Sequence, residues 1–261
     1  MKISGYNYKT LSKMQKHLLT FFFLLSTLQL FSQINVLELD KKLDTINHKN
    51  KMIVEVWSDV MCPFCYIGKK KFETALSQFE HKENVEVRWR SFQLDPNVTA
   101  GDAKNYTTFL AQKKGMNLEQ VKGMFDNVTN IATEVGLKLD FDKAIVANSF
   151  DAHRLTHLAA KYGKKTAAKE ALFIAHFTDG KDIANHAVLL DIAITLGLEK
   201  TEVENMLKSD LCTKEVNHDI QEAAELGVNS VPFFVINRKY AVSGAQDPST
   251  FLSALKKVNQ E

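Results

Sequence analysis

Cysteine is scarce in this sequence, with only three residues among 261. So few thiols exclude a small secreted scaffold held together by several disulfides. Net charge is small as well, because 33 Lys and Arg residues are set against 31 Asp and Glu residues, for a formal charge of +2. This balance gives no sign of the strong positive field that nucleic acids or anionic membranes attract. We therefore expect no nucleic-acid partner.

A long hydrophobic run is also missing. The apolar stretch at residues 18–31 is too short to span a bilayer comfortably. It follows several lysines and matches a secretory signal in residues 1–32, with cleavage after Ser32 and a linker over residues 33–50. Three interpretations stay open: export to the periplasm or cell envelope, a retained anchor, or an unused extension of a cytoplasmic protein that starts near Met52.

Residues 51–97 predict a strand, a helix and a second strand. Residues 52–57 are rich in β-branched and aromatic side chains, as in a buried strand. The helix opens around Pro63, where a missing N–H is harmless, and runs to about Phe79. Apolar and charged residues then alternate over residues 85–90, which is the period of a strand with one wet face.

The rest of the chain predicts a helical block and then two strands and a helix. Apolar stripes at helical spacing lie at residues 117–135, 149–162, 166–177, 186–196, 201–208 and 213–226. Short strands follow at residues 233–236 and 240–243, before a last helix that opens at Pro248. The order is βαβ, helices, ββα, which is an α/β fold.

Two of the three cysteines, Cys62 and Cys65, stand three positions apart at the start of the first helix. Unpaired N–H groups and the partial positive charge of a helix N-terminus stabilise a thiolate there. Cys62 is then the exposed nucleophile, and Cys65 resolves its mixed disulfides. The alternatives are half of a zinc site or a structural disulfide. Zinc needs two further ligands and no suitable pair exists, so we expect no metal and no cofactor beyond the redox-active disulfide.

A second feature, Val231-Pro232, comes just before the later strands. A proline that enters a strand removes a ladder donor. A cis bond before Pro232 leaves extended backbone beside the thiols for a substrate peptide, whereas a plain turn proline has no such role.

Together these features resemble the thioredoxin superfamily, in which Cys-x-x-Cys opens the first helix and a cis-proline precedes the third strand. The long helical insertion narrows the resemblance to DsbA-like oxidoreductases. Residues 58–69, 91–96 and 148–154 look like the FrnE-like branch.

The resemblance implies a thioredoxin fold with a large all-helical insertion domain. Its first half is residues 51–97, the insertion is residues 98–226, and the second half is residues 227–261. It also implies thiol:disulfide exchange and a cis bond before Pro232.

The resemblance assigns roles to individual residues. The expected catalytic residues are Cys62, Cys65 and Pro232, and the expected substrate-binding residues are Pro63, Phe64 and Val231. Phe64 is a departure, since strongly oxidising DsbA proteins have histidine there.

Other residues match the family pattern less specifically. Glu55 resembles a buried acid that relays the proton of the second thiol, although its carboxylate could instead reach solvent. Asn148 and His153 are candidates for a place near the thiols, the alternative being ordinary packing. Cys212 is either a lone, partly buried thiol or the partner in a regulatory or dimer disulfide.

The resemblance implies protein thiols or disulfides as substrates, and a membrane oxidase, thioredoxin or glutathione as redox partner. A glutathione-dependent isomerase or transferase of the 2-hydroxychromene-2-carboxylate isomerase or kappa class is an alternative, but such relatives have serine at the first active position. A peptide-binding chaperone without turnover is the third hypothesis.

Overall fold

The computed structural model describes residues 51–99 and 104–261. The predicted signal and linker, residues 1–50, lie outside the described residues. The strands are β1 (Met52–Ser58), β2 (Val85–Ser91), β3 (Lys104–Asn105), β4 (Ile145–Val146), β5 (Phe233–Ile236) and β6 (Tyr240–Ser243). The helices are α1 (Pro63–Ser77), α2 (Tyr106–Lys114), α3 (Leu118–Glu134), α4 (Phe150–Ala160), α5 (Lys165–Phe177), α6 (His186–Thr195), α7 (Lys200–Lys208), α8 (Thr213–Glu225) and α9 (Pro248–Asn259).

The main sheet has four strands in the order β2-β1-β5-β6. β1 and β2 run parallel, while β5 is antiparallel to β1 and β6 is antiparallel to β5. The hairpin between β5 and β6 turns at Asn237 and Arg238, whose φ angles are 48° and 56°. Positive φ at both residues is the geometry of a type I′ turn, which the backbone N–H of Lys239 closes by donating to the carbonyl oxygen of Ile236 over 3.0 Å. The predicted fold class, a thioredoxin fold interrupted by helices, is confirmed.

α1 joins two hydrophobic cores. Its later residues Phe72 and Ala75 pack with β1, β5 and α9 in the core of the sheet. Its first turn, with Cys62 and Cys65, belongs instead to the core of the helical block. Burial of both faces of α1 therefore places the cysteine motif at the seam between sheet and helices.

Tyr66 of α1 contacts α5 at this seam. Its ring stacks on Phe173 of α5 at a centroid distance of 4.7 Å, and its hydroxyl donates to Glu170 over 2.7 Å. The buried Lys69 donates to Glu73 over 2.6 Å and also pairs with Glu170. These contacts hold α1 against α5, so the helical block can contribute groups to the motif.

The helical block also contains a short ladder that the sequence pattern does not predict. β3 and β4 pair antiparallel, with Lys104 opposite Val146 and Asn105 opposite Ile145. Two residues per strand are too few to produce a detectable alternation. Among the described residues, no helix has both the length and the apolar character needed to cross a bilayer.

Candidate functional site

The two cysteines lie at the start of α1, as the sequence predicts. Cys62 is the N-cap residue, and its Sγ donates to the carbonyl oxygen of Val231 over 3.7 Å. Cys65 lies one turn further on and has no exposed surface. Both are free thiols. The expected exposure of Cys62 is wrong, since only 5% of it is accessible. It packs with the core of the helical block and contacts the Val231 carbonyl oxygen in the loop before β5.

The environment of Cys65 opposes its ionisation. Burial is the largest effect and raises the pKa of the Cys65 thiol well above its ordinary value, and the neighbouring Cys62 raises it further. The Ser58 hydroxyl and the backbone of Asp59 act in the opposite direction. The buried Ser58 Oγ has no partner among the described residues other than this thiol. Cys65 therefore needs further stabilisation before it can act as a thiolate.

Pro232 is buried beside α1, and the Val231–Pro232 peptide bond is cis. The carbonyl oxygen of Pro232 accepts from the backbone N–H of Gly244 over 2.8 Å, which extends the β5–β6 hairpin. The carbonyl oxygen of Val231 faces Cys62. The structure thus brings Val231, Pro232 and both thiols together.

Gly68 allows this approach, and its replacement tests it. A Cβ at Gly68 would lie 2.8 Å from Cγ of Pro232 and 3.4 Å from Cα of Ala245. We expect Gly68→Ala to lower the free energy of unfolding by roughly 1–3 kcal/mol through overpacking. Urea denaturation followed by circular dichroism measures this effect.

Gly123→Ala is the matched control for this prediction. Gly123 lies within α3, where an added Cβ would meet nothing within 4 Å. Alanine there should stabilise the protein by roughly 0.5–1 kcal/mol, because it has the higher helix propensity. If both variants gained stability alike, Gly68 would not be needed for the approach of Pro232.

The predicted proton relay through Glu55 is wrong. Its carboxylate accepts from Arg90 Nε over 3.0 Å and from Arg238 Nη2 over 2.6 Å. Alternation along β1 places it on the face opposite Ser58, which contacts Cys65. Burial opposes its ionisation, but the hydrogen bonds from Arg238 and Arg90 outweigh burial and hold the pKa of Glu55 below its ordinary value. The alternative of a carboxylate in solvent is wrong too, since Glu55 is 2% exposed.

His153 acts on the site through Asp59, a residue that the sequence pattern does not single out. Asp59 is buried, and its carboxylate accepts from Met61 N over 3.2 Å, Leu94 N over 2.8 Å and His153 Nε2 over 3.3 Å. Burial, aided by the charge of Lys169, lowers the pKa of His153, so the imidazole is neutral at pH 7. The pair fixes the turn that leads into Cys62.

Asn148 lies beside the loop that follows β2. Its Oδ1 accepts from Gln93 Nε2 over 3.2 Å, and its Nδ2 donates to the carbonyl oxygen of Val98 over 2.7 Å. These contacts place Asn148 at the segment that follows β2, and none of them involves a thiol. Its effect on the site is therefore to order this loop.

Pro63 and Phe64 differ in exposure. Pro63 is half-buried at the first position of α1, whereas Phe64 is 41% exposed. A pocket of about 380 Å³ opens beside Met61, the residue before Cys62. Its wall includes Leu94, Tyr106, Phe109, Lys113 and Lys114. An exposed aromatic residue and a pocket with several apolar wall residues beside Met61 are features that can bind apolar parts of a substrate.

The helical block supplies further groups that the sequence analysis missed. Lys169 of α5 is 1% exposed and donates to the Ser58 carbonyl oxygen over 2.8 Å. Tyr106 donates to the Met61 carbonyl oxygen over 2.9 Å. His176 is buried with both ring nitrogens unpartnered among the described residues, and burial lowers its pKa to about 4. Lys169 did leave one signal, because it interrupts an apolar stripe that contains Ala168 and Leu172.

One group of side chains has the spacing of metal ligands. Ligand atoms of His218, Asp219 and Glu222 lie within 4.8 Å of one another. Arg90 already donates to Asp219 over 3.0 Å, and Arg238 pairs with Glu222 at 2.8 Å. The positive charges of these two guanidinium groups already offset the carboxylates and disfavour a further cation.

Comparisons with known proteins agree with this architecture. Residues 53–256 match the family of DSBA-like thioredoxin domains. A probable DsbA oxidoreductase from Streptomyces coelicolor, known from a crystal structure, is 40% identical; the match covers 80% of this chain and 91% of that one, with a TM-score of 0.78.

Two further relatives are more distant. YwbO of Bacillus subtilis is 26% identical over 208 residues, which are 77% of this chain and 94% of YwbO. The cytosolic disulfide reductase DsbM from Pseudomonas aeruginosa is 16% identical, with a TM-score of 0.57 and coverage of 80% of this chain and 98% of that one. The similarity to DsbM shows a shared fold only.

Proposed function

The chain belongs to the DSBA-like thioredoxin domain family, whose members are disulfide oxidoreductases or isomerases, and we propose that it is a thiol:disulfide oxidoreductase that acts on protein substrates. One observation carries the proposal. Cys62 caps α1 and faces the carbonyl oxygen of Val231, while the buried Cys65 lies one turn behind it. A nucleophile, a resolving thiol and a backbone acceptor are then adjacent.

The proposed reaction has two exchange steps. The Cys62 thiolate attacks a substrate disulfide, forms a mixed disulfide and releases one substrate sulfur as a thiolate. Cys65 then loses its proton and attacks Sγ of Cys62, which forms the Cys62–Cys65 disulfide and releases the second substrate sulfur. The reverse sequence oxidises a substrate dithiol. Val231 and Pro232 position the substrate backbone, and Pro63 and Phe64 contact its side chains.

Insulin reduction by dithiothreitol tests the proposal. The wild-type protein should bring forward the precipitation of the insulin B chain relative to dithiothreitol alone, because Cys62 attacks the insulin disulfides and the adjacent Cys65 releases the reduced chains. Cys62→Ser should return the rate to that of dithiothreitol, whereas Cys212→Ser should keep the acceleration. A wild-type protein without any acceleration contradicts the proposal and favours a peptide-binding chaperone.

The pocket of about 380 Å³ beside Met61 supports a second candidate, glutathione-dependent isomerisation or transfer of a small apolar molecule. That chemistry needs no resolving thiol. A variant with Cys65→Ser should therefore keep isomerase turnover but lose disulfide exchange.

We further propose that the compartment sets the direction of electron flow. Export to the periplasm or cell envelope favours the oxidase direction and a membrane oxidase as partner. A cytoplasmic chain that starts near Met52 favours reduction, with thioredoxin or glutathione as partner. Mass spectrometry of the native protein distinguishes these cases, since export with cleavage after Ser32 leaves Gln33 as the first residue.

A further inference from the structure

Lys169 is buried without a carboxylate partner. It is 1% exposed, and among the described residues its ammonium makes one hydrogen bond, to the Ser58 carbonyl oxygen at 2.8 Å. Lys69, by contrast, is 3% exposed and lies between the carboxylates of Glu73 and Glu170. A buried ammonium is strongly disfavoured unless a negative charge or several acceptors compensate for lost hydration. Among the groups around Lys169, Cys65 and then Asp59 have the largest effects that raise its pKa.

Ser58 connects Lys169 to the resolving thiol. Its carbonyl oxygen accepts from Lys169, and its hydroxyl faces Cys65. Cys65 has no exposed surface, so water cannot stabilise its thiolate directly. Lys169 is thus a buried cation beside a site where a buried anion has to form.

We propose that Lys169 is a positioning residue for the resolving thiol: its ammonium stabilises the Cys65 thiolate whenever that thiolate is formed or released. The inference rests on the proposed disulfide exchange. It means that the helical block, which supplies α5, controls the second chemical step without contacting the substrate.

The step balances in both directions. During resolution the Cys65 S–H bond breaks, its proton leaves toward solvent, and the thiolate forms a bond to Cys62 Sγ while the bond from Cys62 to the substrate sulfur breaks. The substrate sulfur leaves with the electron pair. During oxidation of a substrate, Cys65 is the leaving thiolate beside Lys169. In each case Lys169 contributes a charge and takes part in no bond that forms or breaks.

The charge of Lys169 itself changes near neutral pH. Burial lowers its pKa to about 8, against the opposing effects of Cys65 and Asp59. The titratable groups that face it from its own and neighbouring elements are Cys65, Asp59, His153, Lys165 and Asp219. Lys169 is a cation below this pH and neutral above it, so its assistance to Cys65 should be present below about pH 8 and fade as pH rises.

Reaction with Ellman's reagent distinguishes the rate of attack by Cys62 from the rate of attack by Cys65 in one experiment. Attack by Cys62 releases one thionitrobenzoate, and attack by Cys65 on the resulting mixed disulfide releases a second. All variants carry Cys212→Ser, so that the third thiol contributes nothing. Stopped-flow absorbance then records a first phase for Cys62 and a second phase for Cys65.

Lys169→Met should slow the second phase at pH 7 by roughly 3-fold to 50-fold and leave the first within about twofold. The range follows from a loss of about one to three pKa units of charge stabilisation on Cys65, partly offset by the higher nucleophilicity of a more basic thiolate. The difference between the second-phase rates of Lys169→Met and the wild type should narrow above pH 8. Lys164→Met is the matched control, since Lys164 also donates to a backbone carbonyl, that of Leu196, and should leave both phases unchanged.

Lys169→Arg is the second variant, because it keeps the cation at every accessible pH. Its second phase should remain fast above pH 8, where the wild type loses the assistance of Lys169. A second phase in Lys169→Met equal to that of the wild type, equal slowing of both phases, or an Arg variant with the wild-type pH profile would overturn the inference. A wild-type protein that releases no second thionitrobenzoate would overturn the proposed function itself, and with it this inference.

Discussion

Cys65→Ser is expected to accumulate covalent complexes between Cys62 and substrate proteins. The variant keeps the nucleophile at the N-cap of α1 but removes the thiol that attacks the mixed disulfide from inside the protein. Turnover should fall to the rate of the reductant alone, because external thiols must then release each substrate. Non-reducing gels of cell extract should show high-mass adducts that disappear on addition of dithiothreitol.

Cys62→Ser and Cys212→Ser are the controls for this trapping experiment. Cys62→Ser should form no adducts, since Cys65 has no exposed surface and cannot reach a protein substrate. Cys212→Ser should behave as the wild type. Equal trapping by Cys62→Ser would show that the roles of the two active cysteines are reversed.

Asp219→Ala is expected to destabilise the protein by roughly 3–5 kcal/mol, because it removes one partner from a buried network of charges. Asp219 of α8 is 1% exposed. Its carboxylate accepts from Ser91 N over 2.8 Å, Arg90 Nη1 over 3.0 Å and His157 Nε2 over 3.0 Å. These bonds join α8 and α4 to the end of β2. Urea denaturation at pH 7 measures the loss.

The effect of this substitution should depend on pH. Burial opposes the ionisation of Asp219, but the hydrogen bonds from His157 and Ser91 N outweigh burial and lower its pKa. A carboxyl group with a lowered pKa stabilises the fold above its unfolded pKa of about 3.9, and this contribution is lost as pH falls through the folded value.

The difference in stability between wild type and Asp219→Ala should therefore be largest near neutrality and shrink in acid. Asp191→Ala, at an exposed position of α6, is the control and should change stability by less than about 0.5 kcal/mol. Equal destabilisation by the two substitutions would contradict the assigned role of Asp219.

The network around Asp219 also explains why Glu55 is not a proton relay. Arg90 contacts both carboxylates, and Arg238 contacts Glu55 and pairs with Glu222. From sequence, an acidic residue on the strand before Cys-x-x-Cys resembles a relay. Which face of the strand it occupies, and which cations meet it there, depends on β2, α8 and the β5–β6 turn. Those segments are far away in the chain, so the local pattern could not predict the pairing.

Contacts made by the helical block are likewise invisible to local sequence patterns. Local periodicity predicts most helices of the block, such as α3, where Asn117 and Gln120 form a reciprocal cap, but it misses α2. Nor does it identify the groups that the block brings to the thiols. Lys169 and Tyr106 lie 104 and 41 positions from Cys65 in the sequence. Their place at the site results from packing of α5 and α2 around α1, which no spacing rule encodes.

Local sequence patterns predict the opening βαβ unit, the closing ββα unit, the place of Cys62 at a helix start and Val231-Pro232 before a later strand, but not β3, β4 or α2. These features depend on short-range periodicity, on proline and on the spacing of two thiols, so they can be read locally. Three other features arise only from tertiary packing: the burial of Cys62, the ion pairs of Glu55, and the positions of Asp59, His153 and Lys169 around the motif. Burial and ion pairing are properties of residues distant in sequence, and they form only when the sheet and the helical block pack against each other.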